Sequence, residues 1–184
     1  MRRLLLALCL FVTSAGIPAA NAATPNEHLM PLAPLVGKTW RGEFTESTPE
    51  RPMIDVQRWE WALGGQAIRV VHSLNDGQYG GETFVVYDRE RERLIYFYFT
   101  TAGFYTTGTI AADEGNFVTH EEVRGATDGT TAVRSTSRIL PDGRLEGTTE
   151  YLRDGEWVPG RGVVYEEAPD AEVVFPPIEV PSRD

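Results

Sequence analysis

A chain of 184 residues suits one domain. Its formal charge of −10, from 17 basic and 27 acidic residues, opposes binding to nucleic acid or to anionic lipid. Cys9 is the only cysteine, so no disulfide can form within the chain, and stability has to come from a packed core.

The N-terminus reads as a targeting segment. Met1-Arg2-Arg3 is basic, Leu4 to Val12 is apolar, and Ala20-Asn21-Ala22 is a small-x-small cleavage site. Residues 1–22 are therefore expected to be a secretory signal peptide, cleaved before Ala23, which places the mature chain in the periplasm or outside the cell. The apolar run is about half of the ~20 residues that a membrane-spanning helix needs. Cleavage removes Cys9 and two arginines, so the mature chain is free of thiol and more acidic still.

Residues 23–28 read as a loose leader. Leu29, Leu32, Leu35 and Val36 recur at helical spacing, but Pro31 and Pro34 interrupt them, which predicts a short helical or 3₁₀ plug ending at Gly37. Thr39 to Phe44 begins the first strand, and Thr45 to Pro52 is a polar loop. Turn signals then recur about every dozen residues. They are Gly64-Gly65, Asp76-Gly77, Asp88 to Arg93, Gly103, Glu114-Gly115, Asp128-Gly129, Asp142-Gly143 and Asp154-Gly155. Between them the strands alternate. Trp59, Trp61 and Leu63 oppose Arg58 and Glu60; Ile68, Val70, His72 and Leu74 oppose Arg69 and Ser73. Leu94 to Phe99 is apolar in both phases, so both of its faces are expected to be covered. No helical period competes after Gly37. The pattern predicts an all-β domain over residues 29–168, an antiparallel up-and-down barrel of about ten strands with a short N-terminal helical plug. Residues 169–184 read as an acidic, proline-rich tail, tacked down by Val173, Val174 and Phe175.

Residue size suggests a lined interior. Ser135, Ser137, Gly147 and Thr149, with Thr107 and Thr109, are small and polar on their covered phases, against Trp59, Trp61, His72 and the aromatic row. Either these residues leave a cavity or they form a thin, two-sided polar sheet edge. Trp59, Trp61, His72, Tyr96 and Tyr98 are the candidate ligand-binding residues. Indoles supply apolar contact, while imidazole and phenol can orient a polar end. His72 is otherwise a hydrogen-bonded core residue. Searches for catalytic motifs return nothing: there is no G-x-S-x-G elbow and no phosphate-binding glycine loop. His120-Glu121-Glu122-Val123-Arg124 opens like a zinc-binding helix, but Arg124 stands where the second histidine belongs. No catalytic residue, metal or cofactor is assigned.

Leu35-Val36-Gly37-Lys38-Thr39-Trp40-Arg41-Gly42 resembles the plug and glycine-to-tryptophan opening of the calycin superfamily, here with the spacing Gly-x-x-Trp. Residues 59–67 and 80–88 extend the resemblance toward bacterial lipocalin-like domains of unknown function. The resemblance implies an up-and-down barrel. It carries two tests of ligand class. The Arg-x-Tyr carboxylate pair of fatty-acid-binding proteins is not met, since Arg161 and Tyr165 are four apart. No histidine follows His120, which argues against the haem site of nitrobindin-like barrels. The leading expectation is a non-catalytic exported barrel that binds a small apolar or amphipathic molecule. An isomerase- or hydrolase-type enzyme using His72, and a filled barrel with a structural or partner-binding role, stand as the alternatives.

Overall fold

A computed structural model describes residues 23–178; the predicted signal peptide lies outside them, as do the last six residues of the tail. Ten antiparallel strands close into a barrel. They are β1 (Thr39–Phe44), β2 (Ile54–Ala62), β3 (Ala67–Leu74), β4 (Tyr79–Asp88), β5 (Arg93–Thr100), β6 (Tyr105–Asp113), β7 (Asn116–Arg124), β8 (Thr130–Ile139), β9 (Leu145–Arg153) and β10 (Glu156–Glu167). Each strand pairs with its neighbours in sequence, and β1 pairs with β10 to close the ring, which leaves no sheet edge unpaired. The expected turns all form, with Gly65, Gly77, Gly103, Gly115, Gly129, Gly143 and Gly155 at positive φ.

A 3₁₀ helix over Glu27–Leu35 caps one end. Asn26 starts it by accepting the His28 amide on its side chain, and Pro31 and Pro34 keep it from becoming an α-helix. Leu29, Leu32 and Leu35 are buried in a core with Trp40, Ile68, Val85, Leu94, Phe117 and Leu145. The leader is less loose than expected: the Asn26 amide donates to the Gly65 carbonyl, and Pro25 lies against Gly65.

Four local expectations are corrected. Leu63 leaves the Trp59–Trp61 phase for a turn at φ 51° and is exposed. On β6 the buried phase carries Thr106, so Thr107 and Thr109 face outward. The outer face of β3 is wet at Arg69 but not at Ser73, where the tail crosses it: the Val174 amide donates to Ser73 Oγ at 3.0 Å, and Ser73 is 2% exposed. β5 is not covered on both faces. Tyr96 points inward, while Phe97 and Phe99 stand on the outer surface, 41% and 52% exposed.

Candidate functional site

The barrel ends differ in chemistry. The end opposite the plug gathers polar groups that no local sequence motif announces. Asp55 on β2 is 3% exposed and sits at the centre. Its Oδ1 lies 2.7 Å from His72 Nδ1, and its Oδ2 accepts the Tyr165 hydroxyl at 2.9 Å. The other imidazole nitrogen, Nε2, lies 2.7 Å from the Tyr98 hydroxyl. That hydroxyl in turn lies 2.8 Å from the Tyr79 hydroxyl. Strands β2, β3, β4, β5 and β10 thus contribute one chain, Tyr165–Asp55–His72–Tyr98–Tyr79. Buried polar atoms require partners, and among the described residues no buried side-chain nitrogen or oxygen lacks one.

Glycines make room for these rings. A Cβ on Gly108 would stand 2.6 Å from Tyr96 Cζ, one on Gly42 2.7 Å from Tyr165 Cδ1, and one on Gly81 would collide with the Tyr98 ring. Tyr96, Tyr98 and Tyr165 therefore each lie across a bare backbone position of a neighbouring strand.

A second acid lies on β7. Glu121 accepts the Thr106 hydroxyl at 2.7 Å and faces the Tyr96 hydroxyl; burial raises its pKa above the usual carboxylate range. Burial likewise pushes the phenols of Tyr79, Tyr96, Tyr98 and Tyr165 upward, so they stay protonated as hydrogen-bond donors.

The chain is not sealed off. The His72 side chain is 23% exposed against 5% for that of Asp55. A cleft of about 610 Å³ includes Arg41, Arg51, Met53, Leu74, Gln78 and Arg161 in its lining. None of the five residues of the chain lines this cleft, whose walls also include Ile54, Val56 and Ser73 from the outer phases of β2 and β3.

Of the five sequence-derived candidates, the structure joins His72 and Tyr98 directly. Tyr96 shares their barrel face but consorts with Glu121; the cleft of about 450 Å³ nearby lies on the outer surface, over Phe97, Thr107, Thr109 and Glu122. Trp59 and Trp61 pack against the core toward the plug end, and Trp59 Nε1 donates to Gln57 Oε1 at 2.8 Å. The His72 partner Asp55 was missed, along with Tyr79, Glu121 and Tyr165. Two of these carried a signal: Asp55 shares the Trp59–Trp61 phase and Glu121 the Phe117 phase, and an acid on a covered phase needs a reason. Among the described residues, no three His, Cys, Asp or Glu side chains group as a metal site. No helix among them is long and apolar enough to cross a membrane.

No protein-family model matches the chain, and no curated protein matches it either. Among solved structures it is similar to the crystal structure of Rv2717c from M. tuberculosis, with 16% sequence identity and a TM-score of 0.59, over 79% of this chain and 99% of that one. At that identity the likeness is one of fold alone.

Proposed function

We propose that this is an exported barrel of calycin type that binds a small apolar or amphipathic molecule without transforming it. The observation that carries the reading is the imidazole of His72, clamped between Asp55 and Tyr98 and still within reach of solvent. Such a group, beside aromatic walls, orients one polar end of a guest while the apolar remainder packs. Export rests on the sequence of residues 1–22, and intact mass of the secreted or periplasmic product tests it by a start at Ala23. For binding, small molecules extracted from the purified mature protein are identified by mass spectrometry. A recurrent amphipathic compound supports the reading. An empty extract, together with a barrel that takes up no apolar probe, supports a filled structural barrel instead.

The Asp55–His72 pair also favours a second reading, an enzyme of isomerase or hydrolase type, since a carboxylate on Nδ1 orients an imidazole as a general base. In this geometry the Tyr98 hydroxyl occupies Nε2, the nitrogen such a base would use. A substrate would have to take the place of Tyr98, which is why binding without catalysis is the first reading.

A further inference from the structure

The protein is strongly acidic, and most of its arginines are matched by a carboxylate. Arg58, Arg69, Arg91, Arg134, Arg138 and Arg153 are all in ion pairs. Arg41, Arg51 and Arg161 are not. Among the described residues, none of these three guanidiniums has an ion-pair or hydrogen-bond partner; Arg51 and Arg161 bond through their backbones only. Yet all three line one cleft, the one of about 610 Å³ at the barrel end opposite the plug. They reach it from consecutive segments around the closure: Arg161 from β10, Arg41 from the outer phase of β1, and Arg51 from the loop between β1 and β2.

Arg161 is placed by a bulge. The register of β10 on β9 shifts between Pro159 and Gly162. The Thr149 hydroxyl accepts the Arg161 amide at 2.8 Å and donates to its carbonyl at 3.2 Å. A bulge re-aims a side chain, and here the guanidinium lies 5.1 Å from the centroid of the Phe44 ring. The ring holds the cation and leaves its charge unneutralised. Glu50 and Asp76 also stand in the lining, but neither pairs with an arginine. Like charges that share one cleft repel, and an anion that enters relieves the repulsion.

We propose that this cleft binds a small amphipathic anion, a carboxylate or phosphate on an apolar group. Arg41, Arg51 and Arg161 take the head group, and Ile54, Val56 and Leu74 pack against the apolar part. Planar guanidinium forks suit either head group, and the volume is that of a small-molecule site. The proposal goes beyond the reading above. No residue of the Tyr165–Tyr79 chain lines this cleft, so either can fail without the other.

The test titrates the mature protein with 1-naphthyl phosphate, 1-naphthoate and the neutral 1-naphthalenemethanol, by calorimetry at low and at high salt. At least one anion should bind about tenfold tighter than the alcohol, and the gain should shrink as salt rises. Arg41→Gln, Arg51→Gln and Arg161→Gln should each weaken the anion about three- to tenfold, between the worth of an exposed ion pair and that of a charged hydrogen bond, and leave the alcohol unchanged. Glu50→Gln removes an opposing charge and should tighten the anion. Arg93→Gln is the control: Arg93 is also outside any ion pair, but it starts β5 and does not line this cleft, so its loss should change nothing. Circular dichroism confirms folding. Arg41 and Arg51 are exposed, so their variants carry the test even where Arg161→Gln disturbs the bulge. Equal affinity for anions and alcohol, or no anion binding, overturns the proposal. So does an anion preference that survives every folded cleft variant, or one that Arg93→Gln lowers as much, which would mark general attraction to surface arginines.

Discussion

Tyr165 reaches Asp55 across Gly42. The three sit on adjacent strands at the seam where the barrel closes: Gly42 on β1 is the register partner of Tyr165 on β10 on one side and of Asp55 on β2 on the other. The phenol ring covers the bare glycine, and its hydroxyl lands on the carboxylate 110 residues away in sequence. The last strand is thereby tied to the second by a side-chain bond that spans the first.

That relationship makes Gly42 a sensitive position. A Cβ there would stand 2.6 Å from Val163 Cγ2 and 2.7 Å from the Tyr165 ring, so one of them has to move. Gly42→Ala should cost about 1–3 kcal/mol, as overpacking does in a well-filled core. Tyr165→Phe keeps the ring and deletes the bond, for about 1 kcal/mol. Because the alanine already displaces the hydroxyl, the double variant should cost less than the two single changes summed. Urea unfolding of the three variants checks this, and strict additivity would mean that the ring does not carry the strain.

The plug makes a second prediction. Leu29, Leu32 and Leu35 are all but fully buried, and Trp40 Nε1 donates to the Leu35 carbonyl at 3.3 Å. Proline-broken 3₁₀ structure has little stability of its own, so the burial of these leucines is the main term that holds the plug, with the hydrogen bonds from Trp40 and to Gly65 and Trp59 beside it. Leu32→Ala should cost about 2–5 kcal/mol. In amide exchange the first protection lost should be that of the Asn26 and Gly37 amides, which bond to Gly65 and Trp59. An unchanged exchange pattern at those amides would show that the plug does not depend on Leu32.

The tail yields a third. Ser73 lies under it, with the Val174 amide on its hydroxyl, and Phe175 packs by Gly80. Ending the chain after Asp170 should expose the outer faces of β3 and β4 at those points. Exchange at β3 and β4 amides should quicken while β7 to β9, on the far side of the ring, stay protected. Equal exchange in the two forms would make the tail a passenger.

The fold was readable because glycine and Asp-Gly pairs punctuate strands at even spacing, and because alternation carries strand phase wherever a charge opposes an aliphatic side chain. Where that contrast vanishes, phase was lost. Thr106-Thr107-Gly108-Thr109 has nothing to tell one face from the other, and Thr107 and Thr109 came out inverted. Leu94 to Phe99 is apolar in both phases, which hid the outward stand of Phe97 and Phe99. His72 was found because it broke an aliphatic row. Asp55 and Glu121 broke their rows equally and were legible on the same ground. Tyr165 was not, since its role depends on β10 returning to β1, a closure that local pattern does not encode.

Glu121 gives the last prediction. It lies among Thr106 on β6, Tyr96 on β5 and Thr119 on its own strand, and its charge is felt by Tyr79 and Tyr98. Arginines nearest in sequence, such as Arg124, point outward and pair with Glu122. Among the described residues no cation offsets the burial, so the folded state holds the proton above the ordinary value of 4.5. Between that value and its raised folded pKa, the folded protein binds more protons at this site than the unfolded chain. Stability from this group is therefore complete below about pH 4.5 and is lost as pH rises through the folded pKa. Glu121→Gln keeps the shape and cannot ionise. Relative to that variant, the unaltered protein should be at its most stable in acid, lose ground as pH rises from about 4.5 through the folded pKa of Glu121, and hold a constant gap above it. Urea midpoints of the two proteins from pH 4 to 8, each measured with its own slope, read the difference directly. A gap that does not change with pH would show that the folded pKa of Glu121 is not raised, the Thr106 hydroxyl and the facing Tyr96 phenol offsetting the burial of its carboxylate.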